Sequence, residues 1–500
     1  MIKKLGESLS VVSQRETRNL PTGQLLFGHK FIVLPMEKIS HRSNFSNLFL
    51  DKRLEKRASN ISSSLLIAKT SSIHGGTKDE AEQKGFYRFL HNENVTEELL
   101  TEELTNRCTV NTIGREVLVI QDSSTFGLSG NKKNLKEDSG IGLVGNKIGL
   151  GFLGHCSLVL DANNNSMLGF SDVQLWHRAD DKANNTTKLY KRQPIEEKES
   201  YKWIKASEHS KAVLKAAKSI TIIEDREGDI YEQFCCIPDD KTTLLIRSRD
   251  NRNTNDGAKL HDLLNQAKAI GTYKIEVKED VRKNKVKRIA ILEVKVVKTQ
   301  IKKPSILKAK EIQDSIEVYA IEAKEINYNG KDKICWRILT TRLTECIEGA
   351  LWVIDRYKQR WYIEQLFRLL KKQGFDIEQS KLESGWAIRK LLILILNATL
   401  RLMQLYLAYE EEDSQNIEEV FNKEEIECLQ QIEKKYIAQT SKTSNSHDNK
   451  KLAWASWIIA RLGGWKGNIK QRKAGPITLK RGLEKFMAIF EGWKLAKNYN

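Results

Sequence analysis

Residues 117–122 read VLVIQD, an unbroken apolar run that ends in a glutamine and an aspartate. A second run of this kind, SITIIED, covers residues 219–225, and TLLIRSR follows at 243–249. Short apolar runs that are rich in β-branched residues predict strands buried on both faces of a sheet. Residues 157–176 lie between the first two runs and predict two more strands, joined as a hairpin by an Asn-rich turn.

The segments between these strands predict how the sheet is ordered. Residues 198–217 fit a helix, so the chain reads as three strands beginning with a hairpin meander, then helix, strand, short helix and strand. This is the α/β order of a ribonuclease-H-like core, in which the first and fourth strands lie side by side and parallel. We therefore expect Asp122 and Asp225 at neighbouring strand ends, the edge where open α/β sheets collect ligands.

The acids at this edge have structural alternatives. Asp122 could turn the chain, and Asp225 could cap the helix that begins near the sequence DREGD. Glu227 and Asp229 compete with Asp225 for a ligand role, and spacing alone does not separate them. If Glu364 joins the two aspartates, three carboxylates converge and repel one another unless divalent cations neutralise them. Oxygen ligands favour Mg²⁺ or Mn²⁺ over zinc.

The stretch YKQRWYIEQLFRLLK, residues 357–371, predicts a helix with a polar stripe. Tyr357, Arg360, Glu364 and Lys371 project within about 60° of one another at helical spacing. The apolar arc beside them should pack on a core and consists of Ile363, Leu366, Phe367 and Leu370. A charged face is often only solvated surface, but this stripe begins at the edge of the arc, which predicts a position at the rim of the sheet.

The charge of the chain favours a polyanionic partner. Its 500 residues carry a net charge of +18 with a pI near 9.3, spread along the chain, which points to nucleic acid before a membrane surface. Seven scattered cysteines form no CxxC pair, so they support neither a zinc site nor a disulfide framework and suit a cytosolic protein. The most apolar run, residues 391–407, contains Asn397 and Arg401 and predicts a buried helix, with no membrane span.

The pattern predicts four parts of the chain. Residues 1–45 form an N-terminal extension of open role, and 46–110 a helical DNA-binding domain. Residues 111–385 form the catalytic domain, with a β-rich insertion at about 260–345 where the sequence alternates with period two. Residues 386–500 form a helical C-terminal domain.

The predicted DNA-binding domain begins with a basic amphipathic helix. Residues 1–75 contain twelve Lys or Arg against five Asp or Glu, and Lys52 and Arg53 lie on the polar side of the helix that starts at Asp51. A generic amphipathic helix explains the same pattern, so the DNA contacts of Lys52 and Arg53 are a hypothesis.

Several motifs in the right order give a more specific resemblance. Tyr357, Arg360, Glu364 and Lys371 match Y-x2-R-x3-E-x6-K at every spacing, while IQDSS holds Asp122 and DREGDIYE begins at Asp225. Further matches are GFYRFL, EKESYKW and IARLGGWKG. Over about residues 45–495 the sequence resembles the DDE transposases of bacterial insertion sequences, in the subgroup marked by the Tyr-Arg-Glu-Lys motif.

This resemblance implies a retroviral-integrase-like core interrupted by a β insertion. It implies that Asp122, Asp225 and Glu364 bind the metal, with Asp225 preferred over Asp229. It also implies that Trp336, in ICWRILTTR, stacks against a flipped base, although a strand tryptophan can equally belong to the core.

The same resemblance implies further partners and a function. Arg247 looks like a DNA contact, although an arginine on an edge strand can be merely exposed, and Tyr357, Arg360 and Lys371 would hold the DNA end. We expect a cytoplasmic, nucleoid-associated bacterial enzyme. It would use two Mg²⁺ or Mn²⁺ ions to cut terminal inverted repeats and join them to target DNA, as a homodimer holding two ends. The alternatives are an inactive regulator that binds the same ends and a nuclease that only hydrolyses.

Overall fold

The fold is that of a computed structural model, and the residues it describes belong to one compact unit, Ile39–Asn500. The described residues are 43–67, 77, 79–128, 135, 139–144, 149–178, 193–277, 287–307, 312–371, 374–408, 415–435, 444–467 and 474–498. The predicted extension, 1–45, lies outside them except for its last three residues.

Among the described residues, three helices precede the sheet: α1 (Lys52–Ile67), α2 (Glu80–Leu90) and α3 (Glu97–Asn111). The helix predicted to start at Asp51 is therefore confirmed. Polar side chains begin the other two, because the Asp79 carboxylate accepts the Glu82 amide and the Thr96 hydroxyl accepts the Leu99 amide. Such caps satisfy amides that have no partner inside a helix.

The described strands form one mixed ten-stranded sheet. In chain order they are β1 (Glu116–Gly127), β2 (Gly142–Val144), β3 (Gly149–Asp161), β4 (Met167–Trp176), β5 (Ser219–Glu224), β6 (Thr242–Arg247), β7 (Gly271–Val277), β8 (Arg288–Lys302), β9 (Ser315–Glu325) and β10 (Cys335–Thr340). Their order across the sheet is β2-β3-β1-β5-β6-β10-β9-β8-β7, with β4 paired to β3.

The centre of the sheet has the predicted connectivity. β3 and β4 form the hairpin, and β1 and β5 lie side by side and parallel. The helix between β4 and β5 is α4 (Tyr201–Val213), shorter than predicted, and α5 (Tyr231–Cys236) lies between β5 and β6. The apolar runs are buried on both faces, since every residue from Val117 to Ile120 is at most 1% exposed.

One predicted boundary is wrong. β1 continues past Asp122 to Gly127, because its antiparallel pairing with β3 runs on to Gly127 and Gly151. On its other side, the parallel pairing with β5 ends at Ile120 and Ile223. Asp122 therefore lies within β1, at the point where β1 and β5 separate.

The β-rich region extends the central sheet. After α6 (Leu260–Gln266), the strands β7, β8 and β9 follow, and β10 pairs antiparallel with both β9 and β6. Residues 271–340 therefore add four strands to the side of β6, and they place Trp336 and Arg247 on neighbouring strands.

The single helix predicted for residues 357–371 is wrong. α7 (Ile347–Lys358) and α8 (Trp361–Leu370) are separated by a turn at Gln359 and Arg360. In this turn the amides of Arg360 and Ile363 donate to carbonyls three residues back, which tightens the backbone, so an angle of 100° per residue does not hold across it. The apolar arc is buried on the core as predicted.

One long apolar helix and three further α-helices follow in the part of the chain that the structure describes after residue 384. They are α9 (Gly385–Ala408), α10 (Lys423–Lys434), α11 (Leu452–Leu462) and α12 (Pro476–Asn498). Among the described helices, α9 alone has the length and apolar composition to cross a membrane. Yet 89% of its most apolar 18-residue stretch is buried inside the protein, as predicted. Its polar side chains are paired there, since Arg401 donates to Glu425 and Gln404 to the Met167 carbonyl.

Candidate active site

The two predicted aspartates lie where β1 and β5 diverge. Asp122 is on β1, and Asp225 follows the last residue of β5. One oxygen of Asp122 accepts the Ser123 amide at 2.7 Å, and one oxygen of Asp225 accepts the Glu227 amide at 2.8 Å. Asp225 therefore does cap a short 3₁₀ turn, as its structural alternative proposed, but with only one of its two oxygens.

Arg360 connects two of the three predicted acids. Its guanidinium donates to Asp122 Oδ2 at 3.1 Å and also to Glu364 Oε1 in a short contact. These contacts join β1 to the start of α8 across 238 residues of chain. The side chains of Asp122 and Arg360 are each 18% exposed, and that of Glu364 is 36% exposed, so the group opens to solvent on the Glu364 side.

The acids influence one another electrostatically. The pKa of Asp122 is raised to about 7, mainly by burial and also by the charges of Asp225 and Glu364, against the opposing effects of the Ser123 amide and Arg360. Burial alone would disfavour the charge of Arg360, but Tyr357, Glu364 and Asp122 raise its pKa overall. Like charges thus crowd one site in surroundings of low polarity, which favours a cation there.

Asp229, the rival of Asp225, has a structural role. It is 1% exposed, and its Oδ1 accepts two hydrogen bonds from Arg252, which also donates to the Asp229 carbonyl. Its Oδ2 accepts the backbone amides of Arg249 and Asp250. Both oxygens are therefore occupied, and Asp229 anchors the chain that leaves β6. The other rival, Glu227, points to solvent and pairs with Lys202 at 3.6 Å.

Tyr357, Arg247 and Trp336 lie beside the acids on one face of the sheet. The Tyr357 side chain is 6% exposed, and burial raises the pKa of its phenol while Arg360 and Arg247 lower it. Its hydroxyl forms no well-aligned hydrogen bond with the described residues. Arg247 is opposite Ile338 on β10, two residues from Trp336, so alternation places both side chains on the same face. Trp336 is half-buried and packs against the core, as its structural alternative proposed.

The remaining predicted DNA contacts lie at different places. Lys371 caps the end of α8, with its ammonium 5.2 Å from the centre of the Phe126 ring on β1. Lys52 and Arg53 begin α1, far from the acids in the sequence, and their side chains are 78% and 91% exposed. Arg53 pairs with Asp51 at 2.8 Å. The structure therefore places Lys371 against β1, beside a residue four positions after Asp122, and leaves Lys52 and Arg53 accessible on α1.

Sequence reasoning missed a buried polar group behind the acids. Gln121 and Glu224 immediately precede Asp122 and Asp225, and both are fully buried. Gln121 donates to Ser207 on α4, and Ser207 donates to Glu224. Burial raises the pKa of Glu224 well above its ordinary value. A polar residue before the acid in each of two otherwise apolar runs was the signal that could have revealed this group.

The residues fit a divalent cation by their donor chemistry. The candidate ligands Asp122, Asp225 and Glu364 offer only carboxylate oxygens, which hard ions such as Mg²⁺ and Mn²⁺ prefer. The mutual repulsion that raises the pKa of Asp122 is what such an ion would relieve. Among the described residues, no three His, Cys, Asp or Glu side chains are close enough together to bind one metal ion. In this structure the cation between Asp122 and Glu364 is the Arg360 guanidinium.

Comparison with known families agrees with this geometry. Residues 42–95 match the transposase DNA-binding family, and residues 170–401 match the transposase DDE domain. The second match includes Asp225 and Glu364, whereas Asp122 precedes it. The first match includes α1, which carries Lys52 and Arg53.

A solved structure also aligns with the chain. It is a cryo-EM structure of the piggyBac transposase synaptic complex with hairpin DNA, 10% identical in sequence. The alignment covers 79% of this chain and 57% of that one, with a TM-score of 0.33, a level that does not establish a shared fold. The family matches are the stronger finding: a transposase DNA-binding domain followed by a transposase DDE domain supports a DDE transposase.

Proposed function

We propose that this protein is a cut-and-paste DNA transposase of the bacterial insertion-sequence type marked by the Tyr-Arg-Glu-Lys motif. Its catalytic domain would be ribonuclease-H-like. The observation that carries the proposal is the meeting of Asp122, Asp225, Arg360 and Glu364 where β1 and β5 separate. These residues come from three distant parts of the sequence. Crowding like charges in a partly buried place costs stability, which a bound cation would offset.

The proposed chemistry assigns separate tasks to the site residues. Asp122, Asp225 and Glu364 would hold two Mg²⁺ or Mn²⁺ ions. When bound, such ions supply a nucleophile at neutral pH and stabilise the leaving oxygen of the phosphodiester. The charges of Asp225 and Glu364 both act on Asp122, and its partial burial strengthens these charge interactions.

The DNA end would lie along the face that carries Tyr357, Arg247 and Trp336. Arg360 and Lys371 would contact phosphates beside the scissile bond, because a guanidinium and an ammonium both bind phosphate oxygens. Trp336 would stack on a base that leaves the duplex. Lys52 and Arg53, both exposed on α1, would contact the terminal inverted repeat.

The proposal includes a cytoplasmic protein that acts at the nucleoid as a homodimer bound to two DNA ends. The net charge of +18 supports a long contact with DNA. The helices α9 to α12 would belong to the C-terminal domain that pairs the subunits.

The test is cleavage of a duplex that carries the chromosomal flanks of the gene, with Mg²⁺ or Mn²⁺ and purified full-length protein. We expect nicking at the element ends and joining of the 3′-hydroxyl to a second duplex. Asp225→Ala and Glu364→Ala should each lose cleavage by at least about 100-fold. Glu227→Ala is the matched control, because this acid lies in the same turn but points to solvent, and it should cleave like the wild type.

Three other outcomes would contradict the assigned site or indicate a different function. Cleavage that survives Asp225→Ala would contradict the assigned site. End binding without cleavage under either metal would indicate a regulator. Cleavage without joining would indicate a nuclease that only hydrolyses.

A further inference from the structure

The separation of Asp122 and Asp225 is not set by backbone pairing. The last parallel pair between β1 and β5 is Ile120 with Ile223, two residues before each aspartate. Beyond that pair, the two strands are joined only through side chains or through third elements. The next residues, Gln121 and Glu224, point away from the acids, because consecutive strand side chains alternate between the faces.

A buried chain of hydrogen bonds crosses this gap on the reverse face. Gln121 Nε2 donates to Ser207 Oγ at 3.2 Å, and Ser207 Oγ donates to Glu224 Oε1 at 3.4 Å. Gln233, on α5, donates to the same Glu224 oxygen in a short contact. All four side chains are fully buried. Ser207 on α4 thus links β1 to β5 where their backbones no longer pair.

The loop that carries Asp225 also closes on this group. A Cβ atom at Gly228 would lie 1.9 Å from Glu224 Oε2 and 2.8 Å from Glu224 Cβ, so any larger residue here would require Glu224 to shift. A shift of the Glu224 side chain would therefore displace both the strand end and the 226–228 turn that Asp225 caps. No water can replace a lost partner at full burial without a cavity to hold it.

We propose that Gln121, Ser207 and Glu224 are positioning residues that hold Asp122 and Asp225 at the separation that binding of divalent ions requires. They touch neither DNA nor ion and act through the aspartates that follow them in sequence. This inference rests on the proposed function. Partners that orient metal ligands from behind typically change ion affinity or activity by about 10- to 100-fold when they are removed.

The chain contains a matched control for Ser207. Ser210, one helical turn later on α4, is equally buried, and its hydroxyl lies 2.8 Å from that of Ser171 on β4. Ser207→Ala and Ser210→Ala therefore each remove one buried hydroxyl from the same helix, the first with two hydrogen bonds and the second with one. Only the first breaks the link between β1 and β5.

The experiment measures Mn²⁺ binding to the full-length protein by calorimetry, with thermal denaturation and end cleavage in parallel. We expect Ser207→Ala to weaken Mn²⁺ binding about tenfold and to slow cleavage, while Ser210→Ala stays within about twofold of the wild type. Both variants should remain folded, and Ser207→Ala, which loses two hydrogen bonds, should lose more thermal stability than Ser210→Ala, which loses one. Gln121→Met breaks the same link from β1 with little change in volume and should weaken Mn²⁺ binding like Ser207→Ala.

Two results would overturn the inference in distinguishable ways. If Ser207→Ala and Gln121→Met bind Mn²⁺ as tightly as Ser210→Ala, the link has no positioning role, and the proposed function stands. If the wild-type protein neither binds Mn²⁺ nor cleaves, the proposed function is wrong, and the positioning role falls with it.

Discussion

Two aspartates four residues apart, Asp225 and Asp229, have opposite surroundings. Asp229 is 1% exposed, and both of its oxygens are occupied by Arg252 and two backbone amides. Asp225 is half-buried, uses one oxygen for a local cap, and adds its charge to that of Asp122. A carboxylate whose hydrogen bonds are complete stabilises a fold, whereas one that repels a neighbouring acid costs stability and is suited to bind a cation.

The same contrast separates the two arginines. Arg252 is 9% exposed and serves one carboxylate. Arg360 is shared between Asp122 and Glu364 and lies in a group that solvent reaches. The Asp229–Arg252 pair should therefore control folding, and the group around Arg360 should control function.

The largest effect on stability is expected at the Asp229–Arg252 pair. Asp229→Ala leaves Arg252 buried without its partner, which should lower the free energy of unfolding by about 3–5 kcal/mol. Urea denaturation of the wild type and the variant measures the difference. Asp225→Ala is the control and should change stability far less. A loss below about 1 kcal/mol for Asp229→Ala would show that the pair does not anchor the loop.

An intermediate effect of opposite sign is expected at Asp122. Its pKa is raised to about 7, so the folded state holds a proton between about pH 4 and pH 7 that the unfolded chain has lost, and stability falls as the pH rises through this window. Asp122→Asn removes this loss and should stabilise the protein by about 1–3 kcal/mol at pH 8, and by much less near pH 4. Denaturation at several pH values measures the stability difference between the variant and the wild type. A difference that does not change with pH would show that ionisation of Asp122 is not its cause.

The smallest effect is expected at Glu227. Its side chain is 67% exposed and forms a 3.6 Å ion pair with Lys202, so Glu227→Ala should change the free energy of unfolding by no more than about 0.5 kcal/mol. Thermal denaturation at low and high salt measures the change. A larger loss would show that solvent exposure does not distinguish the role of Glu227 from those of Asp225 and Asp229.

Much of the fold follows from local patterns. The apolar runs at 117–122 and 219–225 predicted β1 and β5, and their parallel pairing follows from the strand and helix order. The buried helix Gly385–Ala408 was also predictable, because the polar residues in it are too many for a lipid-facing segment and need partners inside a protein.

Other features depend on distant partners. The extension of β1 beyond Asp122 requires β3, whose pairing runs on to Gly127. The turn at Gln359 and Arg360 interrupts a segment whose composition favours one helix, and the local sequence carries no Gly or Pro to announce it. Arg252 lies 23 residues from Asp229, so spacing could not show that this aspartate was already occupied.

The sequence by itself determined the hairpin and the parallel pairing at the centre of the sheet, the basic character and the residue types at the candidate site, because apolar periodicity and net charge are properties of the chain alone. Tertiary structure decided which acids remain available. Asp229 pairs with Arg252, whereas Arg360 is shared between Asp122 and Glu364, and Asp225 adds its charge to that of Asp122. The physical reason is that the state of a carboxylate depends on its burial and on the donors within hydrogen-bond distance, and the fold alone supplies both.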